Sequence, residues 1–325
     1  MTAPRIGLTL GDPGGVGPEV ALKALAGGGP VPGVEYVLFG DPRLVAEEAR
    51  ALSLPGDFGP WREGLPGGPG IFLREVAAPA ADRTRHRPDP ANGEASFRFF
   101  EAAVAAARGG LLDAIVTAPV SKAGWGQAGL AWRGHTDFLE GLYPGAIMSF
   151  WSPRLRMALL SHHLPLSEAL GLVRRGPLLD FFRALRRGLA GLEGGPREIL
   201  VPGLNPHAGE GGRLGREEDD EIRPAVEAAR AEGILVSGPF PPDTVFLRAL
   251  DRPGTMVAAL YHDQGLIPFK LEGFATGVNA TLGLPFVRTS PDHGTAFDIA
   301  GKGVADPRSM IEAVRLAARF SASAS

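Results

Sequence analysis

Four of the chain's seven histidines follow one of three short apolar stretches. His162 and His163 follow 154–161, His207 follows 199–201 by way of Pro-Gly-Leu-Asn-Pro, and His262 follows 255–261. If those stretches are strands of an open α/β sheet, ligands bind beyond their carboxyl ends and imidazoles leaving there can converge. Three imidazoles suit zinc, cobalt or a similar divalent ion, with positions left open for a substrate. The chain has no cysteine, so a metal must rest on His, Asp or Glu, and neither thiolate catalysis nor a disulfide is available. Each histidine can instead be a polar residue satisfied at a strand end, and of the neighbours His162 and His163 one must point away. Asp263 directly follows His262, and Asp243 lies in Pro-Pro-Asp-Thr ahead of a helical stretch. A carboxylate there can add a ligand, orient a histidine or take a proton. Asp243 can equally be a helix N-cap.

A second group suits an anion. Gly134-His135-Thr136-Asp137 opens a short helix, where free N–H groups and a hydroxyl favour phosphate or carboxylate. Lys270, Asn279 and Arg288 follow the His262 stretch and offer a point charge, a neutral donor and a bidentate fork. The alternative is a solvated surface cation plus caps. Composition sharpens the choice, because the chain has 29 Arg but only 4 Lys, 3 Asn and 2 Gln. Against that bias, each Lys or Asn is a candidate for a residue kept for its chemistry, and Lys122, Lys270 and Lys302 all fall in segments that read as loops at strand ends. Gly11-Asp-Pro-Gly-Gly-Val-Gly-Pro is neither a dinucleotide fingerprint nor a Walker loop. It reads first as a tight βα turn and second as a phosphate cradle. Gly209-Glu-Gly-Gly, close after His207, reads as a mobile loop, and no nucleophile elbow is present.

These residues need a scaffold, and the patterning supplies one. Strands are predicted at 5–10, 34–39, 71–75, 113–117, 155–160, 198–201, 234–236, 255–260 and 284–287. Helices are predicted at 18–26, 42–51, 93–108, 167–174, 177–189, 217–231, 243–250, 295–300 and 307–319. The alternation argues for an α/β fold with a largely parallel sheet. Asn92 is the expected N-cap and Gly109 the expected C-cap of the long helix. Glycine- and proline-rich 55–70 is the expected surface loop, and the Ser-Ala tail at 321–325 is expected to fray. With 44% hydrophobic and 21% charged residues and a net charge of -3, the chain has an ordinary globular balance and no general electrostatic case for nucleic acid or an anionic membrane. No apolar run is long enough to span a bilayer, and no leader precedes the first strand, so a cytoplasmic protein is expected.

The segments Gly11-Asp-Pro-Gly-Gly-Val-Gly-Pro-Glu, Gly134-His-Thr-Asp, His163-Leu-Pro-Leu, Leu204-Asn-Pro-His-Ala-Gly-Glu, Tyr261-His-Asp-Gln-Gly and Val278-Asn-Ala-Thr-Leu-Gly-Leu-Pro-Phe-Val-Arg-Thr-Ser run nearly end to end. Together they resemble the 4-hydroxythreonine-4-phosphate dehydrogenase family of pyridoxal phosphate (vitamin B6) biosynthesis. The resemblance implies an isocitrate/isopropylmalate dehydrogenase-like fold with two α/β lobes and a cleft between them. The first lobe would comprise 1–128 and 275–325. The second, 129–274, would carry the metal histidines and the dimer contacts. It also implies a homodimer whose active site lies at the interface, with a divalent metal, zinc before magnesium, cobalt or manganese, on His163, His207 and His262. Substrate contacts would come from His135, Thr136, Lys270, Asn279 and Arg288, with Asp243 and Asp263 as supporting or proton-handling groups. NAD or NADP would oxidise 4-phosphooxy-L-threonine to a 3-keto acid that decarboxylates to 3-amino-2-oxopropyl phosphate. The family commonly has Thr where this chain has His162, so the match selects His163 as ligand and leaves the role of His162 open. A paralogue acting on 4-phosphothreonate or 4-phosphoerythronate would share these motifs, and a metal-dependent phosphohydrolase is the more distant alternative.

Overall fold

A computed structural model of the chain describes residues 3–63, 68–192 and 194–322. Residues 64–67 of the expected loop and 323–325 of the expected frayed tail lie outside it. The chain divides into two compact units, one made of Met1–Pro144 with Leu284–Ser325 and the other of Gly145–Gly283.

The first unit holds β1 (Arg5–Thr9), β2 (Glu35–Gly40), β3 (Gly59–Pro60), β4 (Gly70–Glu75) and β5 (Ala114–Thr117). The second holds β6 (Ile147–Trp151), β7 (Arg156–Leu159), β8 (Glu198–Pro202), β9 (Val236–Phe240), β10 (Thr255–Ala259) and β11 (Val278–Leu282), after which β12 (Val287–Pro291) returns to the first. The first unit's strands lie in the order β3-β4-β2-β1-β5-β12, all pairs parallel. Ile6, Leu8 and Thr9 are all fully buried, so β1 has no solvent face, as a parallel strand covered on both sides requires. The second unit runs β11-β6-β7-β10-β8-β9, antiparallel across β11, β6 and β7 and parallel from β7 to β9. Phe150, Met157, Val257 and Phe269 centre its core.

The units part at 144/145 and 283/284 rather than at 128/129 and 274/275. Packing gives the reason. The His135–Leu142 helix seats Phe138 against Phe97 and Phe100 of the Pro90–Arg108 helix, which holds 129–144 in the first unit. β11 pairs with β6 from Val278↔Trp151 to Leu282↔Ile147, which holds 275–283 in the second.

Several local expectations change. The Pro90–Arg108 helix is capped by Asp89, whose carboxylate accepts from the N–H groups of Ala91 and Asn92, and Pro90 occupies the first turn. Asn92 is instead buried inside the helix and exchanges hydrogen bonds with the backbone of Asp82. Gly109 does close the helix. Residues 295–300 form turns around a left-handed Ala296 rather than a helix. The final helix, Arg308–Ser321, keeps Ser321 buried and hydrogen-bonded to Ala317 rather than frayed. The strand expected at 284–287 meets β12 only at Val287, and the predicted ranges miss β3, β6, β11, the Lys122–Gln127 helix and the His262–Gly273 helix. Gly265, Pro268 and Gly273 break the apolar period of that helix.

The glycine-rich segment after β1 is a tight turn filled by the protein itself. Residues 10–22 are all buried. Asp12 N–H donates to Pro119 O, Gly15 N–H to Asp12 O, Val16 N–H to Thr295 O and Gly14 N–H to Asp12 Oδ1. A Cβ on Gly14 would sit 2.2 Å from Arg85 O, so a side chain there is excluded by backbone. With its donors consumed internally, the turn does not cradle a phosphate. Burial pushes the Asp12 carboxyl up to about 6, and nearby Asp89 adds to the shift, against the opposing amides of Gly14 and Ser121.

Candidate active site

In the second unit β7, β10, β8 and β9 are consecutive and parallel, so their C-terminal ends share one edge. His162 and His163 follow β7, His262 opens the helix after β10, His207 lies in the turn after β8, and Asp243 lies in the loop after β9. Four neighbouring strands thus deliver the histidines and Asp243 to the same side.

The details differ along that edge. The His163 and His262 rings lie 5.9 Å apart between centroids. His162 packs edge-on to His163 at 5.2 Å, with the two Nδ1 atoms 3.3 Å apart and one ring donating to the other. Asp263 sits on His262, with Oδ1 2.6 Å from Nδ1, so Nδ1 carries the ring proton and the lone pair is on Nε2. His207 stands out, its side chain 69% exposed and its Nδ1 3.9 Å from Glu210. Among the described residues, no group of three or more His, Asp or Glu side chains in a single chain is arranged to hold a metal. Asp243 is exposed and does not cap the following helix Val245–Ala249, whose N-cap is Thr244 with no side-chain hydrogen bond.

In the first unit, β12 pairs with β5 at Arg288↔Ile115 and buries the Arg288 side chain beside the end of β5. Its Nη2 donates to Thr117 Oγ1 at 2.7 Å and approaches His135 Nδ1 at 3.4 Å. Burial lowers the guanidinium to about 10. The His135 ring packs at 4.5 Å on Phe100 and edge-on to Trp125 at 5.5 Å. Burial, then Arg288 and Lys122, hold its pKa well below the usual imidazole value, so the ring is neutral at physiological pH. With Nδ1 facing the Arg288 donor, Nε2 carries the proton, and that buried N–H has no partner among the described residues. Thr136 occupies the first turn of the same helix, whose N-cap Gly134 offers no side-chain cap. Lys122 is another of the four lysines. It lies beside Gly134, with Cε 3.5 Å from where a Cβ would be. Its charge acts on both His135 and Asp137. The signal was its residue type, and the missing information was that the 122 and 134 turns meet.

Lys270 and Asn279 belong to the second unit. Lys270 is exposed in the last turn of the His262–Gly273 helix rather than in a loop, and Asn279 is half-buried on β11 opposite Phe150. Likewise Lys122 begins the Lys122–Gln127 helix, while Lys302 lies in a turn.

Comparison with known proteins adds an independent line. The family model described as pyridoxal phosphate biosynthetic protein PdxA matches residues 34–317. A 4-hydroxythreonine-4-phosphate dehydrogenase from Chromobacterium violaceum is 43% identical over 321 residues, covering 97% of this chain and 96% of the relative. The crystal structure of a 4-hydroxythreonine-4-phosphate dehydrogenase from Klebsiella pneumoniae superposes with a TM-score of 0.81 at 37% identity, covering 98% of each chain. A terephthalate 1,2-cis-dihydrodiol dehydrogenase from Burkholderia xenovorans superposes with a TM-score of 0.67 at 29% identity, covering 97% of this chain and 98% of that one.

Proposed function

Because the chain belongs to the pyridoxal phosphate biosynthetic protein PdxA family, we propose that it oxidises 4-phosphooxy-L-threonine with NAD or NADP. Hydride leaves the alcohol carbon for the nicotinamide and the hydroxyl proton is released. The resulting 3-keto acid loses CO₂ to give 3-amino-2-oxopropyl phosphate. The observation behind this assignment is the shared edge of β7, β10, β8 and β9, which presents imidazoles and a carboxylate together.

A divalent ion, zinc first, would be held by His163, His207 and His262 and would supply Lewis acidity to the alcohol and then to the ketone. The all-nitrogen donor set, the nearness of His163 to His262 and the Asp263–His262 hydrogen bond fit such an ion. In this reading the ligand set is completed in a homodimer whose active site lies at the interface. Ile267, Leu271 and Phe274 support a second copy. They are 60%, 85% and 64% exposed and recur at helical spacing beside the histidine edge. Burying each would contribute about 1.5–3 kcal/mol.

Asp263 orients His262, and Asp243 takes the alcohol proton. His135, Thr136, Lys270, Asn279 and Arg288 bind the substrate's charged groups. The unpartnered His135 Nε2–H and the buried Arg288 guanidinium support this role, since both are donors suited to an anion. Such a biosynthetic enzyme would work in the cytoplasm. Among the described residues, no helix is long and apolar enough to cross a membrane.

A coupled spectrophotometric assay tests the assignment. Formation of NAD(P)H from 4-phosphooxy-L-threonine in the presence of a divalent metal is expected, and its absence would refute the reading. Turnover confined to 4-phosphothreonate or 4-phosphoerythronate would select the paralogous dehydrogenase. Phosphate release without NAD(P)H would select a phosphohydrolase.

A further inference from the structure

We propose that Glu218 is the positioning residue of His207, its buried carboxylate clamping the turn that presents this histidine. The inference rests on the reading that His207 is a metal ligand. Glu218 begins the π-helical turn Glu218–Ile222 and is 1% exposed. Its Oε1 accepts from the N–H groups of Leu204 and Asn205, both at 2.7 Å, and its Oε2 accepts from Asn205 Nδ2 at 2.9 Å. A buried carboxylate is costly unless well satisfied, and here every hydrogen bond goes to the two residues that lead into Pro206 and His207.

That turn needs holding. His207, Ala208, Gly209 and Glu210 have φ of 54°, 53°, 78° and 44°, four successive left-handed residues of which three carry a Cβ. L-residues disfavour this region, and a run of them persists only where the surroundings impose it. Glu218 sits between the two ends of the turn. A Cβ on Gly203 would fall 3.0 Å from Oε1, and one on Gly209 would fall 2.7 Å from Oε2. Glycine at both positions leaves room for the carboxylate to reach its donors. Gln264 extends the arrangement to a second ligand loop. It donates to Gly203 O and accepts from Leu260 N–H, joining the start of the His207 turn to the residues just before His262.

The experiment strips the full-length protein of metal with a chelator, then titrates it with Zn²⁺ against a chromophoric competing chelator. Wild type, E218Q, E218A and H207A are compared, and circular dichroism verifies the folding of each. H207A should lose the tight site. E218A should bind Zn²⁺ about 10–100-fold more weakly while still unfolding cooperatively, the loss typical when a group supporting a metal ligand is removed. E218Q keeps one acceptor oxygen but turns an NH₂ toward Asn205 Nδ2, and should fall between the two, several-fold weaker than wild type. Wild-type affinity in E218Q or in folded E218A, with H207A impaired, would overturn the positioning role. Wild-type affinity in H207A would overturn the ligand assignment itself. A residue that only stabilised the fold would lower the melting temperature and leave the Zn²⁺ affinity of the folded protein unchanged.

Discussion

Replacing Asp12 with asparagine removes one buried charge at nearly constant shape. Asp12 is fully buried, its carboxyl raised from 3.8 to about 6, chiefly by burial. A group that holds its proton more tightly in the native than in the unfolded state stabilises the fold most when protonated. That advantage is lost as pH rises from the unfolded value through the folded one. The two-unit shift corresponds to about 3 kcal/mol withheld from the native state at neutral pH. Asparagine does not titrate and keeps an oxygen for Gly14 N–H. Any cost of turning its NH₂ toward Ser121 is independent of pH. The stability of D12N relative to wild type should therefore rise by roughly 1.5 kcal/mol between about pH 5 and about pH 7.5, the accessible half of the window. Urea unfolding followed by tryptophan fluorescence across that range measures the gap. A gap that stays flat would show that Asp12 ionises as a solvated carboxyl does, and would refute the description of the β1 turn as closed to water.

Two further outcomes concern the site. Leu271→Asp places a charge at the centre of the exposed apolar stripe and should shift the protein from dimer to monomer in sedimentation velocity at micromolar concentration; an unchanged dimer would exclude this face from the interface. Arg288→Lys keeps a positive charge but loses the fork that reaches Thr117, and should raise KM for the phosphorylated substrate at least about tenfold with Zn²⁺ affinity unchanged. An unaltered KM would remove Arg288 from substrate binding.

The histidines were legible because residue type and position after an apolar stretch are local properties. Their placement on consecutive strands was not, because the order β7-β10-β8 seats the last of these three segments in sequence between the two earlier ones. Asp263 was visible beside His262, but only the 2.6 Å contact favours orientation among its possible roles. Glu218 carries no local signal because two of its three donors are backbone N–H groups, which every residue but proline has, and the third, Asn205 Nδ2, lies 13 residues away. The Asn92 cap failed through local competition, since Asp89-Pro90 three residues earlier is the better helix start. The boundary at 144 depended on Phe138 choosing Phe97 and Phe100, a tertiary preference with no periodic signature.

The return of β12 to the first unit bears on how the protein is made. Arg288 and Thr117 are 171 residues apart in sequence, yet their strands are neighbours. At about 5–20 residues per second, a ribosome takes roughly 10–30 s to travel from one to the other. Throughout that interval the second unit can emerge whole, while β5 waits with an unpaired backbone edge. Newly synthesised chains should therefore finish the inserted unit first, and the half-built parallel sheet is the stage at which chaperones or a neighbouring nascent chain would engage them.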